Sequence, residues 1–213
     1  MQFADSDAVK SVSVMEGDSV SLQTNTELQT EDQITWAFGP SAVFLAQLQK
    51  ETRIVITHDP DGRFRNRLKV NNQTGSLTIT NTRTTHSGLY QIITSSSRSR
   101  NTTYKFNVTV FASLPVPVFR RIFSSSSSQQ NCSLVCSAVN VSHVTLSWYK
   151  GNSLLSSISV SGLSISLSLP LEVENQDKNT YSCVLNNPIS NQTQHLDITQ
   201  LCTLSAVVVL LKL

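Results

Sequence analysis

Along most of the chain, apolar and polar residues alternate in short runs separated by turn residues. Ser11-Val12-Ser13-Val14 alternates, Gly17-Asp18 turns, and Val20-Ser21-Leu22-Gln23 alternates again. Ile34-Thr35-Trp36-Ala37-Phe38 sets its large side chains on one face, as do Leu77-Thr78-Ile79-Thr80 and Tyr104-Lys105-Phe106-Asn107-Val108-Thr109-Val110. A period of two sends successive side chains to opposite faces of a pleated strand, so each run predicts a half-buried β-strand. No window carries the 3.6-residue period of a long amphipathic helix. The chain is read as all-β.

A break falls at Leu114-Pro115-Val116-Pro117-Val118, where two prolines hold the backbone extended as a short, stiff linker. The serine run Ser124 to Ser128 reads as a solvated loop. The halves on either side share a frame. Cys136 is followed 12 residues later by Trp148, and Tyr181 stands two before Cys183; Thr24 is followed 12 residues later by Trp36, and Tyr90 stands two before Ile92. A central-strand Trp packed on a bridge between strands B and F, with a Tyr two residues before the second Cys, is the immunoglobulin core. The fold class is therefore two tandem immunoglobulin-like β-sandwiches, at 8–111 and 112–202, followed by an apolar tail at 203–213.

The halves differ in cysteine content. All four cysteines, Cys132, Cys136, Cys183 and Cys202, lie in the second half. An even number there, with no histidine in a ligand pattern, reads as disulfides and an oxidising compartment rather than zinc. Cys132 and Cys136 sit roughly 13 Å apart on one strand, beyond the ~7 Å a disulfide spans, so they do not pair together. Strand B begins at the end of the sandwich where strand G finishes, which gives Cys132–Cys202 and Cys136–Cys183. The first half has no cysteine, and its B-to-F separation, Thr24 to Ile92, is longer than Cys136 to Cys183. The extra length accommodates strands C′ and C″, read at Phe44 to Gln49 and Arg53 to Thr57, and makes the first domain variable-type and the second constant-type. Burial of Leu22, Trp36, Leu77, Ile79, Tyr90 and Ile92 must hold the first sandwich unaided.

Composition narrows the function. Only 14% of residues are charged, with a net charge of +2, so no basic stripe for nucleic acid is expected. Asn-x-Ser/Thr sequons occur at Asn72, Asn101, Asn107, Asn131, Asn140 and Asn191, and so many support a secreted, glycosylated surface. Residues 1 to 15 have neither the basic nor the apolar region of a signal peptide. Leu204 to Leu213 is about ten residues against the ~20 of a membrane span, and is read as the start of a truncated span; a glycolipid-anchor signal and a buried final strand are the other readings. His58, His86, His143 and His195 form no catalytic or metal spacing, and Asp59-Pro60-Asp61-Gly62 starts like a calcium loop but lacks its later ligands. No enzyme activity, metal or cofactor is expected. A sialic-acid lectin of this fold would carry an Arg on strand F, where Gln91-Ile92-Ile93-Thr94 stands.

A disulfide-free variable-type domain followed by a constant-type domain with two disulfides resembles the signalling lymphocyte activation molecule (SLAM) family of leukocyte receptors. The resemblance rests on Val14-Met15-Glu16-Gly17-Asp18-Ser19-Val20, Ile34-Thr35-Trp36-Ala37-Phe38-Gly39, the Ser87-Gly88-Leu89-Tyr90 corner and the four cysteines. It implies a glycoprotein of the outer cell surface that binds a related immunoglobulin-family receptor, or itself, through the exposed G-F-C-C′-C″ face of the first domain. The second domain would serve as a stalk, and binding would tune lymphocyte activation; a secreted decoy of the same fold is the alternative. Alternation then puts Thr35, Ala37, Gln47, Gln91, Ile93 and Lys105 on that face, with Arg98 and Arg100 in the F–G loop as partner-steering cations. His86 stands where such domains usually carry an acid bridged to an Arg at the start of strand D, here Arg63. The resemblance thus implies a corner that lacks its ion pair.

Overall fold

The computed structural model describes residues 8–23, 32–95, 101–122, 131–174 and 177–202. It divides into two compact units, Met1–Ala112 and Ser113–Leu213. Thr24, Arg98, Arg100, the serine run and the apolar tail lie outside the described residues.

In the first unit the alternating runs become β1 (Val9–Met15), β2 (Val20–Leu22), β3 (Gln33–Phe38), β4 (Val43–Gln49), β5 (Ile54–Thr57), β6 (Leu68–Val70), β7 (Leu77–Ile79), β8 (Gly88–Ser95) and β9 (Thr102–Phe111). One sheet runs β1-β9-β8-β3-β4-β5 and the other β2-β7-β6. β1 lies parallel to β9 and the other pairs are antiparallel. β4 and β5 are the two added strands of a variable-type domain. Leu22, Ile34, Trp36, Leu48, Leu77, Ile79, Tyr90 and Ile92 pack in one core cluster, each at most 2% exposed. The Trp36 indole N–H donates to the Gly75 carbonyl at 3.0 Å, tying β3 to the turn before β7.

Below this core the chain turns sharply before β8, and Tyr90 fixes the turn. Its hydroxyl donates to the His86 carbonyl at 2.6 Å. Gly88, at φ +152°, is required there, since a Cβ would fall 2.9 Å from Phe38 Cε2. The Phe38 ring cannot retreat, because Phe64 and Tyr90 lie against it at centroid distances of 5.3 and 4.8 Å.

The corner lacks an ion pair, and His86 links it by other means. The ring is fully buried and stacks on Phe64 at 4.9 Å and 17°. The Arg83 backbone N–H donates to Nδ1 at 2.9 Å, so that nitrogen carries no proton. Nε2–H then donates to the Arg63 carbonyl, also at 2.9 Å. The corner is joined to the residues before β6 through the backbone of Arg63 rather than its guanidinium, which lies over the Phe38 ring and pairs with Asp61.

A protonated ring would turn a second N–H toward that of Arg83, so the neutral form is built in. Burial holds the pKa below the ordinary 6.5, and the cations of Arg67, Arg83 and Arg63 push the same way, against the pull of the Arg63 carbonyl. Below about pH 6.5 the unfolded chain therefore binds a proton that the folded unit refuses. Stability of the first unit is expected to fall as pH drops through that value, until the folded ring itself takes the proton. One such group gives a slope no steeper than about 1.4 kcal/mol per pH unit. Denaturant midpoints between about pH 7.5 and 5.5, for the parent and for His86→Gln, check this: the variant should lose the histidine's share of the slope.

The second unit comprises β10 (Val118–Ile122), β11 (Asn131–Val141), β12 (Val144–Lys150), β13 (Ser153–Val160), β14 (Ser164–Glu174), β15 (Tyr181–Asn186), β16 (Asn191–Leu196) and α1 (Ile198–Cys202). Its sheets are β10-β11-β14 and β13-β12-β15-β16. Trp148 is fully buried opposite Cys183 in register and donates its indole N–H to the Leu169 carbonyl at 2.9 Å. Disulfides join Cys136 to Cys183 and Cys132 to Cys202, with Cα separations of 6.5 and 5.8 Å.

One detail departs from the sequence reading. Cys202 does not end strand G. β16 stops at Leu196, and Asp197 caps a single helical turn by accepting from the Thr199 backbone N–H at 3.0 Å and from its hydroxyl at 2.6 Å. Arg121 donates to the Cys202 carbonyl at 3.0 Å at the other end of that turn. Nor does the second corner repeat the first: the Tyr90 hydroxyl bonds to a backbone carbonyl, whereas that of Tyr181 bonds to the Asp177 carboxylate, at 2.7 Å. Asp177 also accepts from Asn179, and these donors hold it at about 2, while burial and the bond to Asp177 push Tyr181 up to about 12.

Candidate functional site

The six-stranded sheet of the first unit turns one face to the core and the other outward, and its register sorts the outward side chains into rows. Thr103, Ile93, Thr35, Gln47 and Ile56 lie opposite one another across β9, β8, β3, β4 and β5. On one side of them run Lys105, Gln91, Ala37 and Phe44; on the other, Ser95, Gln33, Gln49 and Ile54. Of the residues read from sequence, Thr35, Gln47, Gln91, Ile93 and Lys105 are half-buried neighbours on this one face. The Gln47 amide donates to the Thr35 hydroxyl at 3.5 Å, a long bond between side chains of adjacent strands.

Ala37 stands in one of these outward rows but is only 3% exposed. The β3–β4 register shifts between Trp36 and Ala37, and the small methyl ends up between the larger Gln91 and Phe44. It offers a partner almost no area.

The apolar members of the face on β4 and β5 were missed. Ile54 and Ile56 are 54% and 52% exposed on the edge strand β5, and Phe44, 6.0 Å from the His58 ring, is half-buried beside them. Ile54-Val55-Ile56 has no alternation to read. The signal lay in pairing: Gln47 and Gln49 project outward, so the residues opposite them across a tight turn project outward too. An exposed apolar cluster bordered by amides and hydroxyls is the chemistry of a protein contact surface. Among the described residues, no group of three or more His, Cys, Asp or Glu side chains is placed to hold a metal ion. The six sequon asparagines are all exposed.

Known proteins converge on this architecture. Residues 8–111 match the immunoglobulin V-set domain. SLAM family member 5 of the mouse is 24% identical over 190 residues, 88% of this chain and 54% of its own length, so the chain spans about half of that relative. Among solved structures, murine CEACAM1b superposes with a TM-score of 0.65 at 19% identity, covering 87% of this chain and 94% of its own. The extracellular portion of mouse CD200RLa gives 0.62 at 15%, covering 89% and 99%. These two likenesses are of fold. The chain thus carries an immunoglobulin V-set domain at residues 8–111 and is similar over most of its length to SLAM family member 5.

Proposed function

We propose that this chain is the ectodomain of a leukocyte surface receptor whose first unit binds an immunoglobulin-family receptor on an apposed cell, or a second copy of itself, and so modulates lymphocyte activation. The first unit is the binding module and the second a stalk that carries it from the membrane. The reading is supported above all by the outward face of β9, β8, β3 and β4, continued by β5. It is built on a six-stranded hydrogen-bonded sheet and mixes apolar side chains with amides and hydroxyls. Contacts of this kind depend on a few central residues, and truncating one costs about 2 kcal/mol or more, roughly 30-fold in affinity.

The experiment displays the chain on cells and measures binding of a panel of immunoglobulin-superfamily ectodomains, its own included. Thr35→Arg, Gln47→Arg and Ile56→Asp place unpaired charges on the β3–β4–β5 part of the face. Each is expected to abolish binding of any ectodomain the parent captures. Retention of parental binding by folded forms of all three would sink the proposal. So would failure of the parent to bind any member, itself included.

A further inference from the structure

Two sequons occupy the same strand of the proposed docking face. Asn101, immediately before β9, and Asn107, within it, stand six residues apart, about 20 Å along an extended chain. The even spacing puts them on one side of the strand, the side that carries Thr103 and Lys105. Asn107 is exposed and lies opposite Leu89 on β8 and Ser11 on β1; Asn101 is exposed just before the strand. Their acceptor motifs are complete: Thr103 stands two residues after Asn101, and Thr109 two after Asn107.

We propose that Asn101 and Asn107 carry N-linked glycans that fence the β9 edge of the face, so that the partner seats on the β3–β4–β5 half alone. In the modification, the asparagine amide nitrogen attacks the first sugar carbon of an oligosaccharide carried on a polyprenyl diphosphate. A C–N bond forms, the sugar–phosphate bond breaks, and the lipid diphosphate leaves while the amide gives up a proton. Glycans just before β9 and midway along it sweep over β1, β9 and the adjoining side of β8. The open remainder holds Thr35, Phe44, Gln47, Gln49, Ile54 and Ile56, none of them charged. This composition fixes the partner's chemistry: an uncharged face of an immunoglobulin-like domain, since a charge desolvated against these side chains would find no counter-ion.

The docking half of this inference rests on the proposed function; the modification does not, and the experiment separates them. The full chain is displayed on mammalian cells, and its glycans are released enzymatically in heavy-oxygen water. Mass spectrometry should find the label at both Asn101 and Asn107; an unmodified asparagine at either position overturns the fence, whatever the chain binds. Hydroxyl-radical labelling before and after release reads the shadow. Labelling of Leu89 should rise several-fold while that of Phe44, Ile54 and Ile56 stays constant, and a rise at Ile56 overturns the asymmetry.

Gln47→Asn with Gln49→Thr then moves a sequon onto the open half. Its glycosylated product should lose binding to every receptor ectodomain the parent captures, whereas Asn107→Gln should keep it. Retained binding under the re-sited glycan, or loss in Asn107→Gln, overturns the assignment. If the parent captures none of the panel, the function proposed above fails, and the first two arms still decide the fence.

Discussion

Trp36→Ala is expected to unfold the first unit while the second stays folded. Removing a buried Trp costs about 3–5 kcal/mol in lost transfer energy and residual cavity. Trp36 has no exposed surface, lies 6.3 Å from the Phe106 ring, and its indole N–H is the partner of the buried Gly75 carbonyl. Alanine therefore leaves a void between the sheets and an unpaired acceptor within it. Small domains have only about 5–15 kcal/mol in total, and this one has no covalent reserve, since its chain contains no cysteine before Cys132. Hydrogen exchange followed by peptide mass spectrometry reads the two units separately. Amides of β3, β7 and β8 should lose protection, while those of β12 and β15 keep theirs. Parental protection throughout β3 and β8 would show that the first unit does not rest on this side chain.

Much of this architecture could be read from residue spacing because immunoglobulin cores repeat it. The 12-residue step from Thr24 to Trp36 marked a B-to-C connection even where the cysteines were gone, and once Ile34, Trp36, Tyr90 and Ile92 pointed inward, period two sent Thr35, Gln91 and Ile93 outward. Alternation had two limits. It did not tell that Ala37, in its outward row, lies covered between Gln91 and Phe44, and three successive apolar residues hid which way Ile54 and Ile56 face. His86 is a different case. The sequence shows that no acid stands there to form an ion pair, but the fold also uses the ring's two nitrogens as one acceptor and one donor, which only the positions of the Arg83 and Arg63 backbones reveal. The turn that carries Cys202 had a local sign in Asp197 and Thr199, a side-chain cap too short-ranged to compete with the strand pattern before it.

The two bridges of the second unit should prove partly interchangeable, and their joint loss should unfold it. Their sequence separations are 70 and 47, with the shorter loop nested inside the longer. Loop-closure entropy assigns about 4 kcal/mol to the inner bridge alone, and about 3 kcal/mol more to the outer bridge, which then closes only the 23 residues by which 70 exceeds 47. Removing either pair releases only about 3 kcal/mol, because the surviving bridge still holds the unfolded chain in a ring. Removing both releases about 7 kcal/mol, exceeding the sum of the single losses by about 1 kcal/mol and matching the whole stability of many domains. The core loses contacts as well, since all four cysteines are buried and Cys183 lies opposite Trp148. Cys132→Ala/Cys202→Ala and Cys136→Ala/Cys183→Ala should thus each fold with lowered denaturant midpoints, whereas the quadruple variant should show no protected amides in β12 and β15. Parental midpoints after loss of both bridges would mean that packing around Trp148 suffices for the second unit, as it must around Trp36 for the first.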